Sequence, residues 1–145
     1  MSGSASGPRE SVLLTPGVLA AMVEHAVREA PRECCGLLVG DRFRIDESVP
    51  ATNIATEQSR FLIDPAEHIS LNRRLRRTGR EVVGVYHSHP SHPPVPSPRD
   101  VADAHYPEFL HIIVSLVGDH ETRVRGYRIR DGSVTEVALR ATSAG

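Results

Sequence analysis

The chain has 145 residues, 39% apolar and 24% charged, which is enough for one domain with a proper core and too few for two. Its formal net charge of −1 gives no electrostatic case for nucleic acid as the main partner. No apolar run approaches the ~20 residues that span a bilayer, so no membrane partner is expected.

Residues 1–11 are rich in Ser and Gly, with neither a basic n-region nor an apolar h-region; they read as a disordered tail, not a signal peptide. Thr15-Pro16 reads as an N-cap followed by a first-turn proline. Val18, Leu19, Met22, Val23, Ala26 and Val27 then recur at helical spacing, predicting an amphipathic helix over 16–30. Cys34 to Val39, closed by Gly40, reads as a buried strand. Residues 42–49 alternate around Phe43 and Ile45 as a second strand, and 60–63 read as a third.

Asp64-Pro65-Ala66-Glu67 carries a cap, a first-turn proline and a Glu three residues after the cap, starting a helix that runs to about Thr78 and stops at Gly79. Its face carries Arg73, Arg76, Arg77 and Arg80, either a solvated face or a docking surface for an acidic partner. Glu81 to His87 is a strongly apolar strand. The proline-dense stretch that follows cannot be regular structure. Ser97-Pro98-Arg99-Asp100 repeats the cap signal and opens a short helix to about Ala104. Residues 109–117, 122–129 and 134–139 read as closing strands, the last two joined by a turn at Asp131-Gly132. The whole is a mixed α/β domain over 12–140, with 141–145 a flexible C-terminus.

The only cysteines, Cys34 and Cys35, are adjacent and read as core residues. A bridge between neighbours is strained and two cysteines make no disulfide framework, which points to a reducing, cytoplasmic setting. All 17 basic residues are Arg, so no side-chain amine is available for isopeptide conjugation.

The chemistry concentrates in His87-Ser88-His89-Pro90, followed by Ser97 and Asp100. Residues i and i+2 of an extended strand face one side, so both imidazoles can reach one ion. Asp100, from the first turn of the next helix, completes a three-ligand site with a position open for water, as catalytic metals require. The intervening prolines stiffen the path between the anchors. Such donors suit Zn, and also Fe, Mn and Ni. Hydrolysis there also needs a carboxylate that is not a ligand, to take the water's proton and deliver it to the leaving amine. Glu33, beside an apolar strand, is the candidate. Each feature alone has an ordinary reading: two surface imidazoles, a helix cap, a charge before a strand. Non-heme iron oxygenases also use two His and one carboxylate, but need neither Glu33 nor Ser97. His92, His105, His111 and His120 read as surface or packing residues.

Together, His87-Ser88-His89-Pro90, Pro96-Ser97 and Asp100 resemble the JAMM motif of MPN-plus metallopeptidases: His-x-His-Pro, with seven residues between the second His and the Ser, then x-x-Asp. Glu33, within the run from Pro31 to Gly40, matches the family's upstream Glu. Phe61-Leu62-Ile63-Asp64-Pro65 and Gly84-Val85-Tyr86 match its usual spacing. The resemblance implies a single MPN (JAB-like) domain, a twisted mixed sheet flanked by helices and similar to cytidine deaminases. The deaminase signature Pro-Cys-x-x-Cys is missing, so base deamination is not expected. The resemblance further implies one zinc ion held by His87, His89 and Asp100, with a water as fourth ligand. It makes Glu33 the general base and then acid, and Ser97 a donor to the tetrahedral oxyanion. The short chain is most similar to compact bacterial members. These imply a zinc peptidase or isopeptidase cutting after the Gly-Gly of a ubiquitin-like sulfur-carrier protein, releasing cysteine or a short extension. Two readings stay open beside it: an isopeptidase cleaving protein conjugates as deubiquitinases do, and a non-catalytic MPN interaction module.

Overall fold

The computed structural model describes residues 10–119 and 123–142. In chain order its elements are β1 (Ser11–Leu14), α1 (Val18–Glu29), β2 (Cys35–Asp41), β3 (Arg44–Ala51), α2 (Pro65–Leu75), β4 (Glu81–His89), α3 (Pro98–Ala102), β5 (Leu110–Ser115), β6 (Val124–Arg130) and β7 (Ser133–Ala141). The strands close into a mixed barrel in the order β1-β3-β2-β4-β5-β6-β7. Residues 1–9 of the expected tail and 143–145 of the expected C-terminus lie outside the described residues. Glu10 and Ser11 do not belong to a tail: Ser11 opens β1, and the Glu10 carboxylate pairs with Arg128 at 2.6 Å. Among the described residues no helix is long and apolar enough to cross a membrane.

Local expectations and structure part in several places, four of them bearing on the fold. β1 escaped the sequence reading because four residues are too few to show a period; Val12 and Leu14 are nonetheless buried, and β1 runs parallel to β3 and β7. Thr15 does not cap α1: it still continues the pairing of β1, its N–H donating to the Ile45 carbonyl, and the helix starts two residues too late for its hydroxyl to serve, with Gly17 as N-cap. Residues 60–63 form no strand, only a bridge from Ile63 to Asn53, since the Asn53 side chain occupies the Arg60 carbonyl and the Leu62 N–H. The arginines expected on one helical face are dispersed. α2 ends at Leu75, Arg76 caps it, Arg77 is left-handed at φ 67°, and Arg80 lies beyond, bound to Asp46 and Glu47.

Side-chain alternation divides the apolar side chains among three clusters, one of them Ile113, Tyr127 and Ile129 beside α3. Leu38, Tyr86, Ile112 and Val114 pack with Met22 and Ala26 of α1. Leu37, Val39 and Val82 pack with Leu71 and Leu75 of α2, and Val85 joins them. Two glycines let the strands bearing the site approach. A Cβ at Gly36 would drive into the Tyr86 ring, and one at Gly84 into the Leu110 carbonyl of β5. The Tyr86 hydroxyl lies 2.8 Å from His25 Nδ1, which fixes the ring in place. Gly36→Ala is therefore expected to destabilise the fold by about 1–3 kcal/mol through overpacking. Urea unfolding checks this; an unchanged midpoint would show that Tyr86 yields freely.

Candidate metal centre

β4 continues to His89, two residues past its expected end, so both histidines stand on a strand rather than in a loop. The register places Cys35 opposite His87 on β2, and Ile113 beside His87 on β5. His87 and His89 thus leave the sheet on the same side as Val85, toward α2. Both are buried, at 2% and 6% exposure. His87 Nε2 and His89 Nε2 are 3.2 Å apart, and Asp100 Oδ2 lies 3.2 and 3.1 Å from them. Ligand atoms around a tetrahedral ion with ~2.0–2.1 Å bonds are separated by roughly 3.3 Å, so the triangle has the size such an ion needs. These three residues could hold a metal.

Each ligand is aimed by a neighbour. His89 Nδ1 meets the Pro93 carbonyl at 2.9 Å; the ring N–H donates there, turning the Nε2 lone pair toward the centre. The His87 ring stacks on Phe61, centroids 4.3 Å apart and planes 16° apart. Asp100 is held by a full capping box: its N–H donates to Ser97 Oγ at 3.0 Å, and Ser97 N–H donates to Asp100 Oδ2 at 2.9 Å. The proline loop is tied down by three consecutive carbonyls. His92 accepts from Ser115 Oγ, Pro93 from His89 and Pro94 from the Tyr127 hydroxyl.

The electrostatics follow from burial. Desolvation lowers the His87 pKa despite its bond to Asp100. Desolvation also pulls His89 down, but Asp100 and the Pro93 carbonyl outweigh it and the net shift is upward. Burial pushes Asp100 up, yet its bonds to His87 and His89 hold it far below the usual carboxylate range.

Glu33 is 8% exposed, and its Oε1 has no hydrogen-bond partner among the described residues. Burial raises its carboxyl to about 7, with His89 drawing it down and Asp100 pushing it up. Its position comes from backbone contacts that sequence reading missed. Cys34 N–H donates to Ser88 Oγ at 2.8 Å, and Ser88 N–H donates to the Cys34 carbonyl at 3.1 Å. Continued, this register sets Glu33 opposite His89. From the other side, Asn53 Nδ2 donates to the Glu33 carbonyl at 2.9 Å, Glu33 N–H donates to the Gln58 carbonyl, and Arg32 bonds the Ala55 carbonyl. Asn53 also binds Arg60, Ala55 and Leu62, so its amide uses all four hydrogen-bonding positions. An Asn in a loop just before a turn was the only signal, and it is too common to read. His111, expected at the surface or in packing, is buried in β5, and its Nε2 has no partner among the described residues. Cys34 and Cys35 are buried free thiols, as core residues should be. Burial lifts them to about 11 and about 12, so they stay protonated.

Comparison with known proteins agrees with this architecture. A family model described as prokaryotic homologs of the JAB domain matches residues 15–130. The CysO-cysteine peptidase of Mycobacterium tuberculosis is 36% identical over 80% of this chain and 81% of its own. The probable TtuB-protein conjugate cleaving protease of Thermus thermophilus is 35% identical over 94% of this chain and 88% of its own. Among solved structures, a Desulfitobacterium hafniense protein superposes with a TM-score of 0.83 at 28% identity, covering 92% of this chain and 94% of that one. The structure described as a metalloprotease-like zinc site in the proteasome and signalosome superposes with a TM-score of 0.58 at 26% identity, covering 92% and 99%.

Asn53→Ala would strip partners from the Glu33 and Arg60 carbonyls and from two N–H groups. Three of these bonds are part-buried and one is exposed, so the loss is expected at or below the low end of the ~1–3 kcal/mol for a buried unsatisfied group, read as a lowered Tm in thermal denaturation. His89→Ala should abolish binding of one divalent ion per chain in equilibrium dialysis; retained stoichiometric binding would move the metal elsewhere.

Proposed function

The chain belongs to the family of prokaryotic homologs of the JAB domain, and we propose that it is a zinc peptidase that cuts after the C-terminal Gly-Gly of a ubiquitin-like sulfur-carrier protein. The observation that carries this reading is the pairing of a buried, metal-sized triangle of donors with a separate buried carboxyl held near neutrality. The relatives give the substrate class. By their names one is a peptidase for a CysO-cysteine adduct and another cleaves TtuB-protein conjugates. Release of cysteine or a short extension is the first reading. Cleavage of protein conjugates is the second, favoured by the 94% coverage of the Thermus relative. We place the protein in the cytoplasm, on its two free thiols.

His87, His89 and Asp100 are the proposed zinc ligands, and the nitrogen and carboxylate donor set fits that ion. When bound, zinc supplies Lewis acidity that acidifies water to a pKa near ~7 and polarises a substrate carbonyl. Glu33 accepts a proton from the attacking water. The C–N bond of the tetrahedral adduct then breaks, and Glu33 passes that proton to the departing nitrogen. The products are a carrier ending in a Gly carboxylate and a free amine. The Ser97 oxygen accepts the Asp100 N–H, so its own hydrogen is the part assigned to the oxyanion. The structural and chemical roles of Ser97 share one hydroxyl. An interaction module would need neither a metal-sized donor triangle nor a raised carboxyl beside it.

Glu33→Gln should keep zinc and lose nearly all turnover, read by mass spectrometry of a Gly-Gly carrier bearing an extension. Ser97→Ala should lower the rate about 10²–10³-fold and also cost about 1 kcal/mol as a lost cap. A stability loss without a rate loss would leave Ser97 a cap only. Glu33 works as a base only when deprotonated, so activity is present above its pKa and lost as pH falls through it. Burial sets that value at about 7, and a bound cation draws it lower. The acid limb of kcat/KM is expected at or below neutrality, and a flat profile down to pH 4 would remove Glu33 from the proton path.

A further inference from the structure

Beside the donor triangle a cavity of about 390 Å³ reaches inward under α2, with His87 and Asp100 at one end. Val85 and His111, neighbours in the β4–β5 register, form its floor. Phe61, Phe109 and the half-exposed Tyr106 wall it, the last two stacked with centroids 4.5 Å apart. The walls are mainly apolar, but three buried nitrogens of the lining residues lack a hydrogen-bond partner among the described residues: His87 Nδ1 on the candidate metal ligand, Arg60 Nε, which has Asp103 at 3.7 Å, and on the floor His111 Nε2. His111 is 8% exposed. A buried polar atom left without a partner is destabilising until something supplies one. Nothing in the hydrolytic steps above uses His111.

A Gly-Gly segment brings no side chain to such a space, and a cysteine side chain is far smaller than 390 Å³. We propose that this cavity is a side-chain subsite that takes a large apolar residue of the substrate, tyrosine best, from a position flanking the Gly-Gly. Ring walls suit an aromatic side chain, and the tyrosine hydroxyl would reach the His111 imidazole. The fold already builds that pair once, between His25 and Tyr86 at 2.8 Å in the opposite core. The subsite rests on the peptidase reading and deepens it. Specificity then lies in a residue beside the Gly-Gly as well as in the Gly-Gly itself. The side chain comes from either the carrier just before the Gly-Gly or the leaving segment just after it.

The test uses the full zinc-loaded chain and a small Gly-Gly-tailed protein with a C-terminal extension. Gly, Leu, Phe and Tyr are placed in turn before and after the Gly-Gly. At one of the two positions kcat/KM should rise about tenfold or more from Gly to Phe, as apolar pockets discriminate. It should rise a further ~3–10-fold from Phe to Tyr, the value of one hydrogen bond. The responding position identifies the source. Ala104→Phe, which fills the cavity from its lining, should bring the Tyr-to-Gly ratio close to one. His111→Phe should erase the preference for Tyr over Phe while keeping that for Phe over Gly. Cleavage of every substrate at one rate would overturn the subsite and leave the peptidase reading standing. No cleavage of any substrate by the zinc-loaded chain would sink both.

Discussion

Two hydrogen bonds between Cys34 and Ser88 decide where the reactive groups of this protein stand. Ser88 is fully buried, and it uses its hydroxyl and its N–H on the same residue of the neighbouring segment. That double tie carries the β2–β4 pairing past the last sheet pair, Cys35 with His87. Glu33 is thereby brought alongside His89 instead of following its own loop away. The middle residue of the His-Ser-His run is invisible to any argument from metal ligands. It nevertheless sets the spacing between two of the three donors that could hold a metal and the carboxyl proposed to work beside them.

The second constraint is electrostatic. Two imidazole nitrogens and a carboxylate oxygen converge within 3.2 Å, in a place where burial strips water from all of them. Lone pairs facing one another in low dielectric repel unless a cation or shared protons lie between them. The structure spends much of its local bonding on holding this arrangement. A capping box fixes Asp100, a carbonyl fixes His89, and a phenyl ring fixes His87. The proline loop is anchored through three successive carbonyls, those of His92, Pro93 and Pro94, and the two prolines have no N–H to offer in their place.

Legibility in the sequence followed the range of the interactions. The α1 stripe, the Asp64 cap, the Ser97–Asp100 box and the apolar run of β4 rest on contacts a few residues long, and each was readable. That His87, His89 and Asp100 come together was readable because such donor types are rare together at that spacing. What could not be read depends on partners far apart in the chain. Glu67 looked like the closing half of a capping box, but its carboxylate takes the N–H and hydroxyl of Thr52, 15 residues back. Thr15 looked like a cap but is committed to Ile45. Asn53 and His111 carry common residue types in unremarkable local contexts. Only the folded chain places one on the Glu33 carbonyl and the other in a cavity floor.

The alternation of β4 separates two kinds of consequence. Tyr86 points into the α1 core, fitted against Gly36 and bonded to His25, and substitutions there should act through stability. Val85, His87 and His89 point the other way, toward the metal triangle and its cavity, and substitutions there should act through binding and turnover. A strand is stiff enough to keep the two faces in fixed relation, since one pleated backbone carries both. The close approach at Gly84 then ties that backbone to β5, and with it His111. The floor under the proposed substrate side chain is therefore set by sheet register, while Phe61, Tyr106 and Phe109 close over it from the connecting segments. A floor built this way reorganises little on binding.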